Sequence, residues 1–241
     1  MFSVQRKQII FPVTVLFLTS FFLTACSDQK KSEKKPDEDA SYITTEIVKG
    51  SAFCGVHGLG IDANDNLYAG SVVGQRVYKI NLTTGKTETV VTPPKGNADD
   101  IEFLADGTMV WTSISQNAVR AKKPNGDVID LAKDIVSVNS IAYNEKQNRL
   151  FVAQVFGGDG LWELDPAGEK APRNIMNDMG GLNGFDIGPD GMIYGPLWFK
   201  NKIVKINPDT GDMQTVAEGF HTPAAANFDS NWNLYVLDTA T

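Results

Sequence analysis

Five positions in this chain of 241 residues stand nine to eleven residues ahead of an apolar anchor residue: His57, Asp99 (with Asp100), Asn139, Asn183, and Ala224 or Ala225. Four of the five present a polar group able to bind a metal or to hydrogen-bond. If the anchors belong to equivalent strands, these groups converge on one point. Carboxylate and amide oxygens from Asp and Asn suit a hard cation such as calcium. The same residue types also satisfy loop backbone groups in ordinary turns, and spacing alone leaves both readings open.

A second set of residues belongs to the same neighbourhood if each unit is a four-stranded meander. The loop entering the first strand and the loop joining the second to the third then emerge on one face. Those second loops are residues 71–75, 113–117, 155–160 and 197–201, and they supply Gln116, Phe156, Asp159, Trp198, Phe199 and Lys200. Large aromatics beside a polar centre make a small-molecule pocket. Alternatively, Trp198 and Phe199 pack between units and touch no ligand.

The elements that must position these groups are legible as a repeat. Residues 182–218 read as a short apolar strand over 184–187, the turn Gly188-Pro189-Asp190-Gly191, a strand over 192–195, an alternating strand over 202–207, a second Pro-Asp-Thr-Gly turn, and a polar strand over 213–217. The second-strand anchors Leu67, Met109, Leu150, Ile193 and Leu234 are separated by 42, 41, 43 and 41 residues. The third-strand anchors Val77, Val119, Leu161 and Ile203 keep a step of 42. Four strands at a period in the low forties specify an all-β fold, a β-propeller of antiparallel blades. One meander cannot bury its apolar faces alone, so neighbouring blades supply the core.

The expected blades are 58–91, 100–132, 140–178 and 184–217, with a partial blade over 225–241. A strand over 42–48 matches a fourth strand and is expected to complete the last blade as a clasp. Closure at six blades would take about 60 further residues at this period, so the chain reads as an incomplete ring within the propeller domain, 41–241.

Ahead of the repeat, Arg6 and Lys7 precede an apolar run from Ile9 to Leu23, too short to span a bilayer and ending in small residues, as an export signal over 1–25 does. Leu23-Thr24-Ala25-Cys26 resembles the lipobox of bacterial lipoproteins. That resemblance implies lipidation of Cys26, membrane attachment through it, and a cell-envelope location, facing the periplasm from the outer membrane in a Gram-negative host. Residues 26–40 are charged and nearly free of apolar side chains, a tether that burial cannot order. Loss of Arg6 and Lys7 with the signal leaves 20 basic against 29 acidic residues, a formal charge of about −9, which argues against nucleic acid as a partner. Cys54 is the one thiol besides Cys26, so the fold stands without an internal disulfide.

The strings VNSIAYNEKQNRLFVAQ and LNGFDIGPDGMIYGPLW resemble the Asn-led blades of the senescence-marker-protein/gluconolactonase/luciferin-regenerating-enzyme-like family, and the likeness runs over nearly all of residues 50–241. The resemblance implies a six-bladed propeller and, in many members, a calcium- or zinc-dependent lactonase with a Glu, two Asn and an Asp around an axial metal. Carried over by blade, the two Asn fall on Asn139 and Asn183. His57 occupies the Glu position, as a softer ligand that favours zinc or as a rim histidine. Ala224 occupies the position of the Asp that acts as base, and Asp99 restores one negative charge from another direction. Two functions follow: a divalent-metal lactonase-like hydrolase of a sugar-type or small cyclic ester, or a non-catalytic propeller that binds a small molecule or an envelope protein.

Overall fold

The computed structural model describes residues 44–49 and 53–239; the expected signal, Cys26 and the tether lie outside them. Among the described residues the strands form five antiparallel sheets, each made of strands consecutive in sequence. Blade one is β1 (Val56–Ile61), β2 (Leu67–Ser71), β3 (Arg76–Ile80) and β4 (Thr87–Val91). Blade two is β5 (Ile101–Phe103), β6 (Met109–Ser113), β7 (Ala118–Lys122) and β8 (Val128–Ala132). Blade three is β9 (Val138–Asn144), β10 (Arg149–Gln154), β11 (Gly160–Leu164) and β12 (Arg173–Asn177). Blade four is β13 (Asp186–Ile187), β14 (Ile193–Leu197), β15 (Lys202–Ile206) and β16 (Met213–Glu218). Blade five pairs β17 (Pro223–Phe228) with β18 (Leu234–Asp238).

The anchors occupy these strands for a physical reason. All five residues of β6 and of β14 are buried, because these second strands have a neighbouring blade on either side. One apolar layer joins blades two and three, where Val110, Val119 and Ala121 meet Ile141, Leu150 and Val152. Another joins blades three and four around Phe151, Leu161, Leu182 and Ile193. A third lies between blades one and two, where Val77 and Ile101 pack with Trp111. Each third-strand anchor also marks a shift of register toward the fourth strand, at Val77, Val119, Leu161 and Ile203. The step of 42 therefore records a repeated bulge as well as a repeated core position.

Two expectations change. Residues 44–49 carry no strand, and blade five among the described residues consists of β17 and β18 alone. Ile47 instead lies with its carbonyl against the turn at Gly85, where a Cβ would come within 2.3 Å of it, so this segment lies against blade one rather than clasping blade five. The first strand of blade four begins at Asp186, not 184. Leu182 bridges Leu197 and the Asn183 N–H bonds the Pro196 carbonyl, but pairing with β14 breaks at Gly184, which adopts φ +40° and whose carbonyl accepts the N–H of Ala226 of blade five at 2.6 Å. No helix among the described residues is long and apolar enough to cross a membrane. On β1, Gly58 and Gly60 alternate with Leu59 and Ile61, and the latter two are exposed.

Candidate functional site

Three of the five converging positions, His57, Asn139 and Ala224, sit on irregularities of the inner strands, and Asp99 and Asn183 lie just ahead of β5 and β13. In blade one Val56 pairs with Ser71 and Leu59 with Ala69, so His57 and Gly58 together oppose Gly70. In blade three Val138 pairs with Gln154 and Ser140 with Ala153, leaving Asn139 as the extra residue. In blade five Pro223 pairs with Asp238 and Ala225 with Leu237, leaving Ala224 extra. A bulge bends its strand and re-aims a side chain out of the regular alternation. Backbones of adjacent blades meet at the same level. A Cβ on Gly58 would stand 2.4 Å from the Asp99 carbonyl oxygen, and one on Gly184 would stand 2.7 Å from that of Ala224. Those two approaches make His57 the counterpart of Asn183, and Asp99 the counterpart of Ala224.

The four polar residues come together as two pairs. His57 Nδ1 stands 2.9 Å from Asp99 Oδ1, with the His57 side chain 56% exposed and that of Asp99 6% exposed. The contact is off line, so Asp99 Oδ1 is buried without a well-directed hydrogen bond. Bonding to Asp99 raises the pKa of His57, against an opposing contribution from burial. In the second pair, Ser140 Oγ lies 2.8 Å from Asn139 Oδ1 and 3.1 Å from Asn183 Oδ1 and accepts the Gly184 N–H at 2.7 Å. A hydroxyl has one proton, so it satisfies one of the two amide oxygens and leaves the other an open acceptor. Thr112 links the pairs through the backbone: its carbonyl accepts the Asp99 N–H at 2.9 Å, and its hydroxyl donates to the Asn139 carbonyl.

Among the described residues no three His, Cys, Asp or Glu side chains are grouped to hold a metal. The donors that fit one are neutral oxygens, Asn139 Oδ1 and Asn183 Oδ1, which suit a hard cation held weakly. Asp99 is engaged with His57.

Of the loop residues, Phe156 and Phe199 are 60% and 59% exposed, and Phe156 meets Trp198 and Phe199 edge-on at 5.6 and 6.1 Å. These rings pack on one another across blades three and four and stay open to solvent. Phe156 does so with φ +70°, a backbone state that bulky residues rarely adopt. Lys200 is exposed beside them. Asp159 is occupied otherwise: its oxygens accept the N–H groups of Gly180 and Gly181 at 2.7 and 2.9 Å. Gln116 donates to the Pro94 carbonyl at 3.0 Å and accepts from Arg120 at 2.5 Å. A separate cleft of about 390 Å³, lined by Val91, Pro94, Lys95, Lys122 and Val128, lies at the outer edge between blades one and two and contains none of these residues. His221 is 3.7 Å from Asp238, whose oxygens also accept the N–H groups of His221 and Thr222.

Sequence reasoning missed Ser140 and Thr112, since a serine beside an asparagine and a threonine inside a strand have no distinctive spacing. It also missed the contact between His57 and Asp99, although both residues were singled out.

No protein-family model matches the chain, and no curated protein matches it significantly. Solved structures do. Streptogramin B lyase superposes with a TM-score of 0.67 at 14% identity, over 80% of this chain and 65% of that one. A gluconolactonase from Xanthomonas campestris gives 0.67 at 15%, over 80% and 71%. The nidogen/laminin complex gives 0.67 at 19%, over 76% and 72%. The fold is a β-propeller. The chain spans 65% of the length of the lyase it matches, and enzymes and the nidogen/laminin complex share the architecture, so function rests on the site.

Proposed function

We propose that this propeller is a lactonase-like hydrolase of the cell envelope, lipid-anchored at Cys26, that opens a sugar-type or small cyclic ester with the help of a weakly held divalent cation. The observation that carries the reading is the convergence of Asn139 Oδ1 and Asn183 Oδ1 on the single proton of Ser140. The likeness to gluconolactonase structures supports a scaffold of this type. A cation at this site would supply Lewis acidity toward an ester carbonyl. Asn139 and Asn183 would hold it, and Phe156, Trp198 and Phe199 would offer apolar surface to the substrate. A non-catalytic binding propeller is favoured by one feature, Ala224, which puts no acid at the position opposite Asn183.

Thermal melting of the full chain in calcium or zinc chloride tests the site. Binding to the native state stabilises by RT ln(1 + [L]/Kd), about 2.7 kcal/mol at a hundredfold excess over Kd. The expected result is a rise in Tm that Asn183→Ala removes and Ala224→Asp enlarges, together with hydrolysis of δ-valerolactone or glucono-δ-lactone. In the arrangement that binds no ion, one amide is turned so that its NH2 donates to Ser140 Oγ and the cluster is closed. That arrangement gives no shift in either ion, in wild type or in Ala224→Asp.

A further inference from the structure

We infer that His57, held by the buried Asp99 carboxylate, is the proton-accepting group of this site. The inference rests on the hydrolase reading above and gives it the base that Ala224 does not supply. Asp99 Oδ1 is buried and lacks a well-directed bond, a costly state for a carboxylate. The N–H at hand to relieve it is that of His57 Nδ1, 2.9 Å away. A proton fixed on Nδ1 leaves Nε2 as the basic nitrogen. Nε2 has no protein partner among the described residues, and the side chain is 56% exposed. One end of the imidazole is therefore anchored in a dry place and the other faces water, the geometry of an oriented general base.

The position of the pair favours this role over a plain ion pair. The bulge that places His57 and Gly58 opposite Gly70 sets the imidazole at the same level of the inner strands as Asn183. Thr112 ties Asp99 to Asn139, accepting the Asp99 N–H on its carbonyl and donating its hydroxyl to the Asn139 carbonyl, so the dyad adjoins the paired amides by way of one residue. The other carboxylates on the strand packed against β1 are engaged elsewhere. Asp100 accepts the N–H groups of Ile101 and Ile141, and Glu102 accepts that of Phe103. The titratable residue of β2 is Tyr68, whose hydroxyl donates to Asp62.

Nε2 takes a proton from water while the water oxygen bonds to the lactone carbonyl carbon, giving a tetrahedral oxyanion. Collapse of that oxyanion breaks the ring C–O bond, and the proton on Nε2 passes to the departing alkoxide. Lactone and water become one hydroxy acid, and Asp99 keeps its contact with Nδ1–H throughout.

The chain contains two histidines, so long-range proton–nitrogen spectra of the full chain in detergent resolve His57 from His221. The expected spectrum shows neutral His57 protonated on Nδ1, with a titration midpoint that falls in Asp99→Asn. Turnover of δ-valerolactone is expected to drop about 100-fold or more in His57→Gln. The loss should fall on kcat, with the calcium-induced melting shift retained. A wild-type His57 protonated on Nε2, or lactone turnover undiminished in His57→Gln, overturns the inference while the ion site stands. A wild type that hydrolyses no lactone overturns the hydrolase reading itself, and the step assigned to His57 with it.

Discussion

Ser140 organises the paired amides more than its size suggests. It is 1% exposed, receives the Gly184 N–H, and faces two amide oxygens with one proton. Ser140→Ala leaves a buried N–H and an amide oxygen unsatisfied, an expected loss of about 1–3 kcal/mol for such a group. Urea unfolding checks the value. The same substitution should leave the His57 spectrum unchanged, because the partner beside His57 is Asp99 rather than Ser140. At this scale the sequence disclosed which residues stand at the inner ends of the blades. It did not disclose which of them touch. Counting back from anchors such as Leu67 and Met109 locates His57 and Asp99, but their contact depends on a bulge in β1 and on how closely blade one approaches blade two. Neither of those leaves a spacing signal.

Half-buried carboxylates stitch one element to the next. Asp100 bonds Ile141 of blade three at 3.1 Å, and Asp186 bonds Phe228 of blade five at 2.9 Å. Burial pushes Asp100 up to about 7, although its backbone hydrogen bonds pull the other way. Burial pushes Glu102 to about 7 as well, and it raises Asp186. Unfolded carboxylates titrate near 4, so between those values the folded chain holds protons that the unfolded chain has released. The resulting stability is full below about pH 4 and is lost as pH rises through about 7. Denaturation midpoints measured across that range should fall toward neutral pH, and Asp100→Asn should flatten the slope. Strand positions were readable because anchors such as Met109, Leu150, Ile193 and Ile203 are buried. The start of β13 was not, because pairing with β14 breaks at Gly184 through a backbone bond to Ala226 of blade five, which leaves no side-chain signal.

At the scale of the whole molecule, the repeat itself was the clearest message in the chain, since the same burial is required of each blade. The proposed attachment to a membrane belongs to this scale too. Cys26→Ser is expected to abolish incorporation of radiolabelled fatty acid and to move the protein to the soluble fraction, because several acyl chains hold far more firmly than one. Membrane retention of that variant would point to another tether. A different consequence follows from the sheets, each of which is built from strands that follow one another in the chain. No strand of a four-stranded blade has to wait for a distant partner. Hydrogen bonding within a blade closes only short loops, the kind of contact that forms early and fast. During synthesis blade one can zip up before the residues of blade four exist, and each later blade finds an apolar face already in place to condense upon.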